Sequence, residues 1–286
     1  ATVSTEGLDI TAERIPNIAD NVDNWTYTGK WATWASTTED ATNLTSPYVR
    51  TTGTGISNLT KTLAYLPEGQ YKLKANVYAY YNSYISTRKV QQLFMNDQTL
   101  TINSERNRTA TLRELKGSVA SDNQLEFGIK ITSSSSATNT AMDNVKLLYQ
   151  GTAADYIEGI EIITFGVTAE AATLRGKPMN ATVSEALEAA LDRVNAALAT
   201  YTEKISNGTS TPSDVSAWVD ALDNLANSGV VADAKASVAA YVALGSQITA
   251  SRTKATLYPQ ETCGSIDEFG LDAIYTKYIN GEYLDS

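Results

Sequence analysis

The chain has 286 residues, 42% of them hydrophobic, and a formal net charge of −10. That length and content suit one large domain or two ordinary ones with a sizeable core. The acid excess lies in one half: residues 1–150 carry 14 Lys and Arg against 14 Asp and Glu, residues 151–286 carry 8 against 18. The acidic half disfavours nucleic acid, whose phosphates attract Lys and Arg.

Several chemistries are missing. There is no histidine, which removes Ser-His-Asp and Cys-His catalysis, His-ligated zinc and the usual general base near neutral pH. The single cysteine, Cys263, excludes an internal disulfide and thiolate zinc, and reads as a small half-buried apolar side chain. No phosphate loop or Gly-x-Gly-x-x-Gly pattern follows a strand. With 32 acidic residues some carboxylate pair always exists, so a glycosidase-like pair carries no signal. No run of about 18 apolar residues is present to span a membrane. The start at Ala1, with neither initiator Met nor signal-peptide pattern, reads as that of a mature or trimmed piece.

Along the chain, residues 1–20 form a weak opening segment, with Ile15-Pro16 and Ile18 as edge anchors. A polar loop, Asp20 to Asn24, leads into Trp25-Thr26-Tyr27. Trp31 and Trp34 sit three apart, which on a strand puts them on opposite faces, one in the core and one exposed or held by a loop. Tyr48-Val49-Arg50 is a short strand within a Thr/Ser/Asn/Gly-rich stretch. The central feature is Leu59 to Tyr84, two strands around Pro67-Glu68-Gly69, a turn in which Pro presets φ and Gly tolerates positive φ. After the turn Tyr71, Leu73, Ala75, Val77 and Ala79 fall on one face. Lys72, Lys74, Asn76, Tyr78 and Tyr80 fall on the other. Val90 to Met95, Leu100 to Ile102, Thr111 to Leu115 and Leu125 to Ile131 continue as short strands. Strands of this length between polar turns spell an antiparallel sandwich or barrel.

Two motifs add to this. Leu66-Pro67-Glu68-Gly69-Gln70-Tyr71 follows an apolar strand, and Asp143-Asn144-Val145-Lys146-Leu147-Leu148-Tyr149 closes the region; Gly29-Lys30-Trp31 fits its opening. Over roughly residues 15–150 the chain resembles the carbohydrate-binding-module-like, galactose-binding-like β-sandwich (jelly roll) of surface and secreted Bacteroidetes proteins. The resemblance implies a non-catalytic module and a location at the cell surface, with lipid anchoring possible, or outside the cell or in the periplasm. It also implies a structural Ca2+ at the Asp of the closing strand, Asp143, with Asp23 or Asp20 supplying a second carboxylate.

From Gly151 the period changes to about 3.6. Tyr156, Ile160, Ile163, Val167, Ala171 and Leu174 form one helical stripe. Val183 through Ile205 form a second, with Thr182 and Glu185 as a capping box and Asn207-Gly208 as its stop. Pro212 opens a third through Val215, Trp218, Leu222 and Leu225. A fourth runs through Val231, Val238, Tyr241, Val242, Leu244 and Ile248. A last short helix starts at Ser265. The expected architecture is therefore an N-terminal antiparallel β-sandwich, residues 1–150, followed by an acidic α-helical bundle, residues 151–286.

A sugar ring presents an apolar C–H face that stacks on aromatic rings, while its hydroxyls need polar partners. Trp31, Trp34, Tyr80 and Tyr84 are the expected stacking residues, among Tyr78 and Tyr81, with Asn76, Asn82 and Arg88 as polar neighbours. The favoured function is glycan or polysaccharide recognition without catalysis, the helical part acting as spacer or as a dock for other surface proteins. The competing reading is a structural or protein-binding surface protein with no sugar ligand, since fold does not fix function.

Overall fold

A computed structural model of the chain describes residues 6–35, 43–51, 56–81, 91–102, 109–132, 138–255, 257, 273–274 and 276–277. Two antiparallel sheets make the N-terminal sandwich. The larger takes β1 (Leu8–Asp9), β3 (Trp31–Trp34), β4 (Tyr48–Thr51), β6 (Gly69–Tyr81), β9 (Thr111–Val119) and β11 (Thr138–Tyr149). Its order is β3-β4-β11-β6-β9, with β1 on the far end of β11. The smaller takes β2 (Thr26–Thr28), β5 (Ser57–Leu63), β7 (Gln91–Met95), β8 (Gln98–Ile102) and β10 (Leu125–Ile131), in the order β2-β5-β10-β7-β8. A short helix, α1 (Thr11–Arg14), and two single 3-10 turns precede β2.

The alternation read from the sequence sets the core. Tyr71, Leu73, Ala75, Val77 and Ala79 of β6 are buried, as are Leu125, Phe127, Ile129 and Ile131 of β10. Each large apolar side chain so enclosed contributes about 1.5–3 kcal/mol through removal from water. Trp25 closes one end: its ring meets Phe127 edge-on at 5.7 Å, and its indole N–H donates to the Ile18 carbonyl at 2.8 Å.

The strands on either side of Pro67 do not pair with each other. β5 pairs with β2 and β10, whereas β6 pairs with β9 and β11. The segment between them crosses from one sheet to the other. Asn123 fixes this arch, accepting from the Leu66 amide at 2.9 Å through its carbonyl and donating its side-chain N–H to the Leu66 carbonyl at 2.9 Å.

Four long helices follow: α2 (Ala153–Leu174), α3 (Ala181–Asn207), α4 (Pro212–Asn227) and α5 (Val230–Ala255). Their stripes are those expected, with two corrections. Asn180, not Thr182, caps α3, because its side-chain oxygen accepts from the Thr182 amide at 3.0 Å. Val242 is 58% exposed; the enclosed row of α5 is Ala234, Tyr241 and Ile248. Of the expected last helix, Ile274 is described in a helical turn; Ser265, Glu268, Leu271, Tyr275 and Tyr278, like Cys263, lie outside the described residues.

The secondary structure switches from strand to helix between Tyr149 and Ala153. Compactness divides the chain elsewhere, into Ala1–Ile163 with Tyr201–Ser216, and Thr164–Thr200 with Ala217–Ser286. In the first unit a buried polar cluster joins the sandwich to the 201–216 segment. Glu13 accepts hydrogen bonds from the Tyr201 hydroxyl at 2.8 Å and from the Ser210 hydroxyl. Arg14 beside it donates to the Ala64 carbonyl at 2.5 Å. Burial pushes the Glu13 carboxyl above its ordinary range, against the pull of those two hydroxyls and Arg14. The second unit is centred on Trp218, fully buried, whose indole N–H donates to the Thr164 hydroxyl at 3.0 Å. Arg175 bonds Glu188 at 2.6 Å and Asp192 at 3.3 Å on its surface.

Candidate functional site

The outer face of the larger sheet collects the aromatic residues that the core does not use. Because β6 buries its odd-numbered residues in the core, Tyr78 and Tyr80 point the other way. Register brings Tyr78 opposite Ala141, Ala141 opposite Arg50, and Tyr48 opposite Trp34. Tyr48, Tyr78, Ala110 and Ala141 form a buried cluster, with Trp34, Leu44 and Tyr80 packed half-buried against it. The Arg50 guanidinium lies 4.4 Å from the centre of the Trp34 ring, a cation–π contact, and its charge partly offsets the burial that raises the pKa of the Tyr48 hydroxyl. Burial pushes the Tyr78 hydroxyl up to about 12. The Tyr78 hydroxyl and the Trp34 indole N–H are buried with no hydrogen-bond partner among the described residues.

Trp31 and Trp34 do take opposite faces. Trp31, opposite Thr51 on the core side, is 5% exposed. It is a packing residue, and its expected role as a sugar platform is corrected on that ground. Trp34 and Tyr80 both pack against the Tyr48–Tyr78 cluster on the outer face. Tyr84, Asn82 and Arg88 lie outside the described residues, as does the side chain of Tyr81.

Next to this cluster, and sharing Leu44 and Ala110 with it, is an open recess of ≈ 530 Å³ lined by Asn43, Thr45, Asn76, Thr111, Leu112 and Asn144. Sequence reasoning named Asn76 and missed the rest. Three separate features build it. Asn144 sits at φ 50° in a β-bulge of β11, where Asn is one of the few residues that tolerates a left-handed backbone. The Asp-Asn-Val motif is thus the sequence of the bulge. Asn43, also left-handed at φ 74°, donates its side-chain N–H to the Ala110 carbonyl at 3.1 Å. Asn76 donates its own to the Asn43 carbonyl at 3.0 Å. The amides of Asn43 and Asn76 are therefore both anchored through nitrogen. Leu112, 57% exposed, supplies an apolar surface beside Asn76, its partner across β6 and β9.

Asp143 stands opposite Asn76 in the same row and is 3% exposed. Its carboxylate accepts from the Thr45 amide at 2.5 Å, so it pins the 43–45 segment over the sheet. Burial raises its pKa, partly offset by the Thr45 and Asn144 amides; the neighbouring carboxylate whose charge it feels is Asp20. Asp23 is exposed in a 3-10 turn. Among the described residues no three Asp, Glu, Cys or His side chains gather into a metal-binding group. A Ca2+ ion at Asp143 would therefore take most of its six to eight oxygens from backbone carbonyls. Calcium at Asp23 and Asp143 is a proposal with a direct test. Millimolar CaCl2 should raise Tm in the parent and not in Asp143→Asn, which keeps the amide-accepting oxygen; equal shifts, or none in the parent, reject it.

A second recess, ≈ 570 Å³, lies on the smaller sheet's side and is lined by Asn96, Asp97, Asp122, Gln124, Glu126 and Lys130 among others. Lys130 places its ammonium 3.9 Å from the centre of the Phe94 ring.

No helix among the described residues is long and apolar enough to cross a membrane. No protein-family model matches the chain, and no curated protein matches it. Among solved structures the chain is similar in fold to several carbohydrate-binding modules. One is a CBM61 module in complex with beta-1,4-galactotriose, 10% identical over 48% of this chain and 98% of that one, with a TM-score of 0.36. Another is a family 35 module from Clostridium thermocellum, 10% identical over 46% of this chain and 96% of that one, at 0.32. A third is the CBM22-1 xylan-binding domain of a Paenibacillus barcinonensis protein, 12% identical over 52% of this chain and 99% of that one, at 0.33.

Proposed function

We propose that the sandwich is a non-catalytic glycan-binding module whose site is the recess between Asn43, Asn76, Leu112 and Asn144, flanked by the Trp34–Tyr80 cluster. The observation that carries this reading is the recess itself. It gathers the anchored amides of Asn43 and Asn76, with Asn144 and Thr45, around the exposed Leu112 side chain. A sugar has the matching surface, hydroxyls around an apolar C–H face. The volume falls in the range of small-molecule sites, about 300–1,000 Å³. The amides are held by backbone hydrogen bonds before any ligand arrives, which lowers the entropic cost of binding. Such a module belongs at the cell surface, in the periplasm or in a secreted assembly.

The test is a glycan-array and polysaccharide screen of the full chain beside Asn76→Ala and Leu112→Asp. Neither residue is in the core, so both variants should keep the parent's Tm within a few degrees. The parent should bind at least one glycan, and each variant should lose about tenfold or more in affinity, the scale of one lost charge-free hydrogen bond or apolar contact in a small site. Binding unaffected in both folded variants would remove the recess as the site.

The competing reading, a protein-binding surface protein, has one specific observation in its favour. Phe165 of α2 is 75% exposed, whereas the helix's other aromatic residue, Tyr156, is fully buried.

A further inference from the structure

We propose that the lysines in the rows next to the recess, Lys72, Lys116 and Lys146, bind the acidic groups of an anionic polysaccharide, uronate or sulfate, as its chain runs on from the recess over the outer face of the larger sheet. This rests on the reading of the recess as a glycan site and names the class of glycan. Asn76 and Leu112 share one row across β6 and β9. Two residues back along β6, the next row holds Lys146, Lys74 and Glu114, and the row after it Leu148, Lys72 and Lys116. Tyr71 and Leu73 are buried in the core, so Lys72 and Lys74 stand on the outer face with Asn76.

The face already holds a carboxylate at this place. Lys74 is clamped between Glu6 at 2.7 Å and Glu114 at 3.0 Å. The bond from Lys74, with the charges of Lys72 and Lys146, holds the Glu6 carboxyl below its ordinary range. Three lysines from two strands therefore converge on one exposed carboxylate, a contact that an acid group of a ligand would take over. Lys72 is half-buried, Lys116 and Lys146 are exposed, and none of the three forms an ion pair with a described residue. Asp9, opposite Leu148, is a further acid on this face and accepts the Thr11 amide. The five residues before Glu6 carry no charged side chain.

The spacing suits a polymer. Antiparallel strands lie about 4.7–4.9 Å apart and rise about 3.4 Å per residue, so the three lysine stems stand on a patch about 10 Å across the strands and about 7 Å along them. A small anion reaches part of that patch. A chain with acid groups on successive sugars reaches all of it, and each further contact forms at the high effective concentration of a linked group. Exposed lysine–acid contacts are individually weak and screened by salt, so binding here depends on such repetition. Nucleic acid repeats its charge as well, but a polysaccharide also brings the hydroxyls and apolar C–H faces that suit Asn76 and Leu112 one row away.

Affinity electrophoresis or calorimetry of the full chain decides the point. The probes are polygalacturonate, alginate and heparin, with neutral galactan and duplex DNA beside them, each at low and at roughly tenfold higher NaCl. The parent should bind at least one anionic polysaccharide, and more weakly at high salt. A Lys72→Gln, Lys146→Gln double variant that melts with the parent should lose about fivefold or more. Glu6→Gln, which removes the resident carboxylate, should bind about twofold tighter. Glu126→Gln, the same charge change on the outer face of the smaller sheet, should bind as the parent does. No binding of any anionic polysaccharide, or equal binding by the folded lysine variant, overturns the proposal. So does DNA bound as tightly as the best polysaccharide and lost in the same variant. Galactan bound by the parent and lost in Asn76→Ala, with no anionic polymer bound, overturns the lysine rows and leaves the recess standing. Anionic binding that Asn76→Ala leaves whole and the lysine variant loses supports the rows and removes the recess.

Discussion

Gly128→Ala is expected to leave the chain without a cooperative unfolding transition. Gly128 sits in the middle of β10, opposite Thr60 of β5 and Phe94 of β7, at φ 152°. A Cβ built there lies 1.8 Å from the Leu59 carbonyl oxygen and 2.8 Å from its carbon. That oxygen is backbone, so no side chain can rotate away. Either β5 separates from β10 or the backbone leaves a conformation that only glycine adopts readily. Both routes break the central pairing of the smaller sheet. The cost should exceed about 4 kcal/mol, a large share of the roughly 5–15 kcal/mol that holds a typical domain folded. Gly176→Ala is the matched control. It too has positive φ, 72°, but nothing lies within 4 Å of its Cβ. Its cost should be the left-handed penalty alone, about 1–2 kcal/mol. Circular dichroism melts of the two variants check this; a Gly128→Ala protein melting within a few degrees of the parent would show that the strand relaxes freely.

Glu13→Ala should be the most damaging polar substitution. It removes the buried carboxylate that accepts from both the Tyr201 and the Ser210 hydroxyls, at a cost of about 1–3 kcal/mol. The 201–216 segment would lose its tie to the sandwich. Glu13→Gln should cost far less, because the amide oxygen still accepts. The two variants should also separate by pH. Burial raises the carboxyl's pKa in the folded protein, opposed by Ser210, Tyr201 and Arg14 and reinforced by Asp214. The folded state therefore holds its proton to higher pH than the unfolded state does. Stability contributed by Glu13 is full below the ordinary carboxylate range and falls as pH rises from there to the folded pKa. Denaturant melts across that window should show the parent losing stability relative to Glu13→Gln as pH rises. A difference that stays flat with pH would mean that Glu13 titrates normally.

The physical reasons for what the sequence reveals and conceals are specific. Strands with clean alternation, such as Leu125 to Ile131, are legible because one buried face forces period two. The stripe of α4 is legible for the same reason at period 3.6. The two sides of the Pro67 turn look like neighbours, and only the long-range pairing with β9, β10 and β11 and the Asn123 anchor show that they belong to different sheets. Spacing puts Trp31 and Trp34 on opposite faces, but which face is the core depends on Thr51 and Tyr48 across the ladder. The tie between Glu13 and Ser210 joins residues far apart in sequence, with no local pattern to mark it. The recess is the hardest to read. Asn43, Asn76, Thr111 and Asn144 come from four segments, and each by itself looks like an ordinary turn or strand-edge residue. The one local trace is Asp143-Asn144-Val145, which marks the bulge without disclosing what the bulge faces.

The most direct test of the glycan-module account is the affinity of the parent and of Asn76→Ala for whichever glycan the screen returns. Both proteins should be measured by calorimetry at the same salt, after their melts have been shown to agree. The account predicts a measurable Kd for the parent and a loss of about tenfold or more in the variant. Equal affinities in two equally folded proteins would contradict it, and would place the sugar, if one is bound, away from the Asn43–Asn76–Asn144 recess.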